Sequence, residues 1–326
     1  MHSLYPLTFQ PLYKDKVWGG HKIKDHLHLN IGKLPNCGEA WLMSGVEGNP
    51  TIVSNGYLAG NELNELVEVF LGDLVGDKVY NIFGNTFPIL LKIIDANDWL
   101  SVQVHPNDEL AQKRGLGFGK TEMWYILQAD PHAQLISGFI SPIDKNTYID
   151  HLEKGRLKDI LNFENVRQDE VYFMPAGRVH ALGPGCLLAE IQQTSDITYR
   201  IYDWDRMDEK GNGRQLHIDE AIDAIDFDQK DNAKPPVKIK ENSSSSIIKT
   251  THFSTNLLSI NQALNKDYYA IDSFVILFCI EGSFDLIWEG GIVNVKQANA
   301  ILIPNLINQI QIKPDHYSKI LEVYIE

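Results

Sequence analysis

Long hydrophobic runs are missing from this chain: no stretch of about 18 or more apolar residues occurs, so no membrane-spanning helix is expected. Cysteine is scarce and odd in number. Cys37, Cys186 and Cys279 stand far apart without a Cys-x-x-Cys spacing. Neither a disulfide framework nor a thiolate metal site is expected, and the pattern fits a reducing cytoplasm. Basic charge is in deficit: 29 Lys and Arg against 43 Asp and Glu give a formal net charge of -14. That argues against a general nucleic-acid or anionic-membrane surface, while a few convergent cations can still form a local pocket for a small anion. The first residues, Met1-His2-Ser3-Leu4-Tyr5-Pro6, have no basic segment followed by an apolar stretch, so no leader is expected. Nothing in the sequence implies an obligate protein partner.

What is present is ordinary globular material: 326 residues, 44% apolar and 22% charged, enough for a sizeable core in two or three lobes. Short β-like runs recur at Ile89–Ile94, Leu100–Val104, Met123–Leu127, Gln134–Gly138, Val171–Met174, Leu187–Gln192 and Thr198–Tyr202. They are rich in β-branched and aromatic residues and are separated by Gly, Pro, Asn and Asp. Regularly interleaved long helices are lacking, so the pattern predicts a mainly β barrel or sandwich with helical insertions rather than a doubly wound fold. Asn61–Leu74 reads as one insertion, with Leu63, Leu66, Val67, Phe70, Leu71 and Leu74 at helical spacing. Pro142–Ile160 reads as another, capped by Ser141 with Asp144 in its first turn, and Ile218–Ile225 as a third.

Pro235-Pro236 and Ser243–Ser246 suggest a linker over 231–246. The expected division is a first region, 1–230, that linker, and a smaller β domain, 247–326. In the last, Glu281-Gly282 and Glu289-Gly290-Gly291 supply turns between apolar runs. That domain holds only His252 and His316, and its default role is structural.

Three runs of the first region carry chemistry. In Ser101-Val102-Gln103-Val104-His105, Gln103 and His105 share one strand face while the valines pack on the other. Glu122 lies in Lys120-Thr121-Glu122-Met123-Trp124, and His180 ends Met174-Pro175-Ala176-Gly177-Arg178-Val179-His180. Two imidazoles, a carboxylate and an amide oxygen can surround one borderline-soft divalent ion such as zinc, if the strands bring them together. Lys92, Glu190 and Arg200 sit on unusually apolar runs: each is either a structural ion-pair member or a contact for an anion or a proton. His21, His26 and His28 fall in a polar segment beside Lys22 and Lys24, and are not expected to bind metal.

With these residues in view, the chain resembles the zinc-dependent type I mannose-6-phosphate isomerases, in their shorter bacterial form. The resemblance rests on Val17-Trp18-Gly19-Gly20, Gly38-Glu39-Ala40-Trp41, Phe87 through Lys92, Leu100 through Pro106, Gly119 through Met123, Pro175 through His180 and Glu190 through Arg200. It implies two cupin-like β-barrel or jelly-roll lobes, the C-terminal one degenerate, with helical insertions. It implies one catalytic zinc ion on Gln103, His105, Glu122 and His180. It also implies catalytic Arg200, Glu190 and Lys120, and substrate contacts from Lys92, Ser101, Lys120 and Arg200. The implied reaction interconverts mannose 6-phosphate and fructose 6-phosphate through a metal-stabilised cis-enediol(ate). The chain departs from the longer family members at Lys120-Thr121-Glu122, where they carry Lys-Pro-Glu, and around Asp196–Arg206. Against this stand a cupin oxygenase or epimerase, distinguished by iron-dependent oxygen consumption, and a sugar-sensing or storage protein, distinguished by binding without turnover.

Overall fold

The computed structural model describes residues 4–208, 210–228 and 233–326, so the first two residues of the expected linker lie outside it. The β-branched runs become strands. Ile89–Ala96, Val102–Val104, Glu122–Ala129, Gln134–Phe139, Val171–Met174, Cys186–Gln193 and Tyr199–Tyr202 all form. Ile89–Ala96 and Cys186–Gln193 are buried along their whole length, which is why they read as near-continuous apolar runs. Among the described residues, no helix is long and apolar enough to cross a membrane.

The chain divides into two compact units, each assembled from separated stretches. One comprises Tyr13–Ala40 and Lys92–Lys234. It holds four neighbouring strands of one sheet, in the order Val171–Met174, Glu122–Ala129, Cys186–Gln193 and, from Lys92 on, Ile89–Ala96, and a second sheet that runs Tyr199–Tyr202, Val102–Val104, His180–Leu182, Gln134–Phe139, Leu161–Asn165. Side chains from both sheets share one core, with Ile94, Trp124, Ile126, Tyr172 and Leu188 from the first meeting Leu135 and Leu182 from the second. Behind the second sheet, Val102, Val104, Ile136 and Ile201 pack with Tyr148, Leu157, Ala221 and Ile225 from helical segments. The result is the β-sandwich cross-section of a cupin with helices on one outer face.

The other unit comprises Met1–Leu12, Trp41–Leu91 and Pro235–Glu326. Its nine-stranded sheet is dominated by the antiparallel pair Val275–Trp288 and Gln309–Tyr324. The division at Lys234/Pro235 falls within the expected linker, but the region before it does not form a single unit, because early segments join the C-terminal strands. Leu7–Gln10 pairs with both Ala300–Ile303 and Ile52–Val53. Asn305 N and Phe274 N donate to the last carbonyls of the helix Leu63–Val75. The Asp272 carboxylate accepts from Asp77 N and Lys78 N, both at 2.9 Å, capping Asp77–Phe83.

Four further expectations change. Ser244–Lys249 is a strand paired with Ser254–Ile260, so the serine run is not linker. Glu281-Gly282 marks a bulge within one 14-residue strand rather than a turn, with shifts of register on both sides. Asp144, not Ser141, caps the helix Lys145–Glu153, accepting from Thr147 N at 2.7 Å. Leu71 leaves the buried helical stripe: its φ of 48° breaks the helix there, and its side chain is exposed.

Candidate metal centre

The site is built by two lateral rows, one from each sheet of the Lys92–Lys234 unit. In the second sheet Gln103 stands directly opposite His180 on one side and Arg200 on the other, and His180 stands opposite Ser137. Directly opposed residues share a face, so Arg200, Gln103, His180 and Ser137 form one row. His105 lies just beyond the strand Val102–Val104, two residues after Gln103 and on the same side. In the first sheet Glu122 stands opposite Met174 and Gln192, while Trp124 stands opposite Tyr172 and Glu190. The corner Pro175–Val179 carries the chain from the first sheet to the second. It thereby delivers His180 across from Glu122, held by Gly177 N donating to His105 O at 2.9 Å.

His105, Glu122 and His180 therefore converge, each about 1% exposed, with candidate ligand atoms within 4.8 Å of one another. Among the described residues this is the one group of three or more His, Cys, Asp and Glu so placed; His21, His26 and His28 lie on the surface away from it. Glu122 Oε1 is 3.3 Å from His105 Nε2, and Oε2 is 3.6 Å from His180 Nε2. His180 Nδ1 donates to Arg178 O at 2.8 Å, which leaves Nε2 as the lone-pair nitrogen facing the cluster. The Gln103 amide is 3.3 Å from that nitrogen. Lys120 Nζ stands 2.8 Å from Glu122 Oε1 and 3.2 Å from His105 Nε2.

The electrostatics are those of a cation site. Burial, and then Lys120, push the His105 imidazole down to about 3, and burial lowers His180 as well, so both present neutral lone pairs. Burial alone favours a protonated Glu122, but Lys120 and His105 outweigh it and hold the carboxyl well below its ordinary range. His105 Nδ1 and Glu122 Oε2 are fully buried without a hydrogen-bond partner among the described residues, and Glu122 Oε1 is held by the Lys120 ammonium. Buried polar atoms left unpaired are rare in protein interiors, and two imidazoles with one carboxylate are a donor set suited to zinc. The residues present fit the group.

Lys92 and Glu190 lie beside this cluster. Lys92 Nζ donates to Glu190 Oε1 at 3.0 Å and Trp124 Nε1 donates to Oε2 at 2.8 Å, all three side chains being buried. Burial opposes charge on Lys92, but Glu190 overrides it and raises the ammonium above its usual range. Burial, and then Glu122, raise the Glu190 carboxyl. Ser101 is buried immediately before the strand Val102–Val104. Arg200 is half-buried, with Nη1 donating to Gln215 O at 2.8 Å. Burial, and then Arg214, lower its pKa.

Trp124 was not singled out from sequence, and Gln192 reads there only as sharing a strand face with Glu190. Trp124 is the second donor to Glu190, and Gln192, fully buried opposite Glu122, keeps Oε1 without a partner. Their signal was the two-residue spacing from Glu122 and Glu190. A separate cavity of about 1190 Å³ in the other unit is lined by Tyr5, Tyr269, Trp288 and Glu289, but it holds no converging donor set. Donor chemistry, not volume, locates the centre.

The chain is similar over most of its length to proteins already known. Residues 7–166 match the model of the phosphomannose isomerase type I catalytic domain. The chain is 31% identical over 316 residues to mannose-6-phosphate isomerase ManA of Bacillus subtilis, covering 94% of this chain and 96% of that protein. It is 36% identical over 234 residues to a mannose-6-phosphate isomerase of Streptococcus mutans, 71% of each. The crystal structure of the mannose 6-phosphate isomerase from Bacillus subtilis superposes with a TM-score of 0.86 at 29% identity, covering 98% of this chain and 99% of that one.

Proposed function

The chain belongs to the type I phosphomannose isomerase family, and on that premise we propose that it interconverts mannose 6-phosphate and fructose 6-phosphate with one zinc ion on His105, Glu122, His180 and Gln103. The observation that carries the reading is the buried His105–Glu122–His180 cluster, drawn from two sheets and left with unpaired polar atoms. A half-turn of the Gln103 amide, whose two ends have nearly the same shape, presents its oxygen in place of its nitrogen. A bound zinc ion supplies a Lewis acid that polarises the carbonyl and adjacent hydroxyl of the open-chain sugar.

The remaining work falls to side chains. Aldose–ketose exchange removes a proton from the carbon beside the carbonyl and returns one at the former carbonyl carbon, through a cis-enediol(ate). Arg200, one position along the row from Gln103, offsets the negative charge that develops. Glu190 is the base in this reading. Its raised carboxyl moves toward the operating range, and each oxygen keeps a second lone pair beside its bond to Lys92 or Trp124. Lys120, against Glu122 and His105, serves as general acid or substrate contact, and Lys92 and Ser101 complete the pocket. We place the reaction in the cytoplasm, with three free and buried cysteines as support.

The test follows fructose 6-phosphate production by purified protein before and after metal removal and zinc restoration. Activity lost with metal and recovered with zinc is the expected result. No turnover by folded, fully zinc-loaded protein would overturn the assignment.

A further inference from the structure

Arg200 lies on Tyr199–Tyr202, the outermost strand of its sheet, with Val102–Val104 on one side. An edge strand leaves outward backbone groups without a ladder partner. At Arg200 both are taken by a single residue: Arg200 N donates to His217 Nδ1 at 3.1 Å, and His217 N donates to Arg200 O at 2.8 Å. The imidazole stands where a further strand would offer a carbonyl. Because the donor is a backbone N–H, Nδ1 carries the lone pair and the ring proton sits on Nε2.

The same segment reaches Arg200 and its strand at other points. Gln215 O accepts from Arg200 Nη1 at 2.8 Å. The Arg214 guanidinium forks onto Asp203, with Nε to Oδ2 at 2.7 Å and a second contact from Nη2 to Oδ1. His217 is also the position from which the helix Ile218–Ala224 departs, and Ala221 N donates to its carbonyl at 2.9 Å. Ala221 is buried in the core behind the sheet, which fixes where the segment begins. Residues 214–217 thus form a strap over the edge of the sheet, and the His217 side chain sets its register so that the Gln215 carbonyl meets the guanidinium.

We propose that His217 is a positioning residue: through the strap it fixes the direction of the Arg200 guanidinium while itself touching no substrate. This rests on the role given to Arg200 above. An isolated edge-strand arginine has several free rotamers, and a guanidinium aimed before substrate arrives loses less entropy on binding.

The test compares H217A, H217N, R200A and R200A/H217A in the zinc-loaded full chain. H217A removes one neutral hydrogen bond, so kcat/KM falls about tenfold. H217N places an amide oxygen near the lost nitrogen and recovers to within about threefold of wild type. R200A/H217A is no slower than R200A, because His217 acts only through Arg200. An independent readout is amide hydrogen exchange at Arg200, faster in H217A and restored in H217N. Unchanged turnover and exchange in H217A, or a full additional loss in the double variant, would overturn the proposal. An inactive wild-type protein overturns the functional reading instead, and the exchange comparison then still decides whether His217 holds the strand edge.

Discussion

Replacing Lys92 with Met tests the electrostatic argument at its most exposed point. The Lys92 and Glu190 side chains are 6% and 4% accessible and meet at 3.0 Å. Removing one member of such a pair costs roughly 3–5 kcal/mol when the survivor stays charged. Glu190 keeps the Trp124 indole as a donor, and its carboxyl is already raised by burial and by Glu122. In Lys92→Met it has a second recourse, which is to take up a proton. The sign follows from linkage: a carboxyl with a higher pKa folded than unfolded stabilises the folded state least where it must ionise. The loss is therefore about 3 kcal/mol at pH 8 and shrinks as the pH falls toward the unfolded glutamate range. Lys92→Met/Glu190→Met removes both charges and fills similar volume, so it recovers to within about 1 kcal/mol of wild type. The assay is urea denaturation of metal-stripped protein followed by circular dichroism at both pH values, since bound metal adds its own stabilisation. A loss below about 1 kcal/mol at pH 8, or a double variant no more stable than the single one, refutes the reasoning.

Other consequences are open to measurement. Metal-free protein loses stability as the pH falls below about 6.5, because the unfolded chain protonates imidazoles that stay neutral when folded, with the His105 contribution extending to about 3. The slope from His105 is about 1.4 kcal/mol per pH unit, His180 adds in the same direction, and a flat profile between pH 6 and 4 contradicts it. Trp124→Phe deletes the indole donor to Glu190, and it lowers kcat more than it raises KM if Glu190 moves the proton. Glu322→Ala removes a buried carboxylate that accepts from the buried Tyr268 hydroxyl at 2.7 Å and from the more accessible Lys266 Nζ at 2.8 Å, Asn256 Nδ2 at 2.8 Å and Ser244 Oγ at 3.0 Å. It costs about 2–3 kcal/mol by denaturation, leaving turnover per folded molecule unchanged. Gly282→Ala places a Cβ 2.1 Å from Tyr317 O at a φ of +79°, so it destabilises by more than about 2 kcal/mol, read as a fall in thermal midpoint.

The sequence by itself determined whatever depends on near neighbours. The two-residue period put Gln103 and His105 on one face and buried Val102 and Val104 on the other. Apolar runs bounded by turn residues located the strands, and the deficit of cysteine and of basic charge set the chemical class of the surface. Ordered motifs then joined Glu122 and His180 to the first pair by resemblance, ahead of any contact between them.

Only the tertiary structure decided which faces meet. A period fixes the side of a strand but not its partner, and pairing between distant segments leaves no local pattern. Thus the corner Pro175–Val179 moves the chain between sheets and sets His180 against Glu122, although the intervening residues read as a turn of no stated direction. Lys92, Trp124 and Glu190 become one hydrogen-bonded group only because their strands lie in one sheet. The bulge at Gly282 reads like a turn because a bulge and a turn both use the left-handed backbone that glycine permits. Trp41–Leu91 joins the C-terminal strands through helix carbonyls and the Asp272 cap, the latter a bond between residues 195 positions apart. His217 had no signal at all, since nothing local distinguishes an imidazole that caps a strand edge from one that faces water.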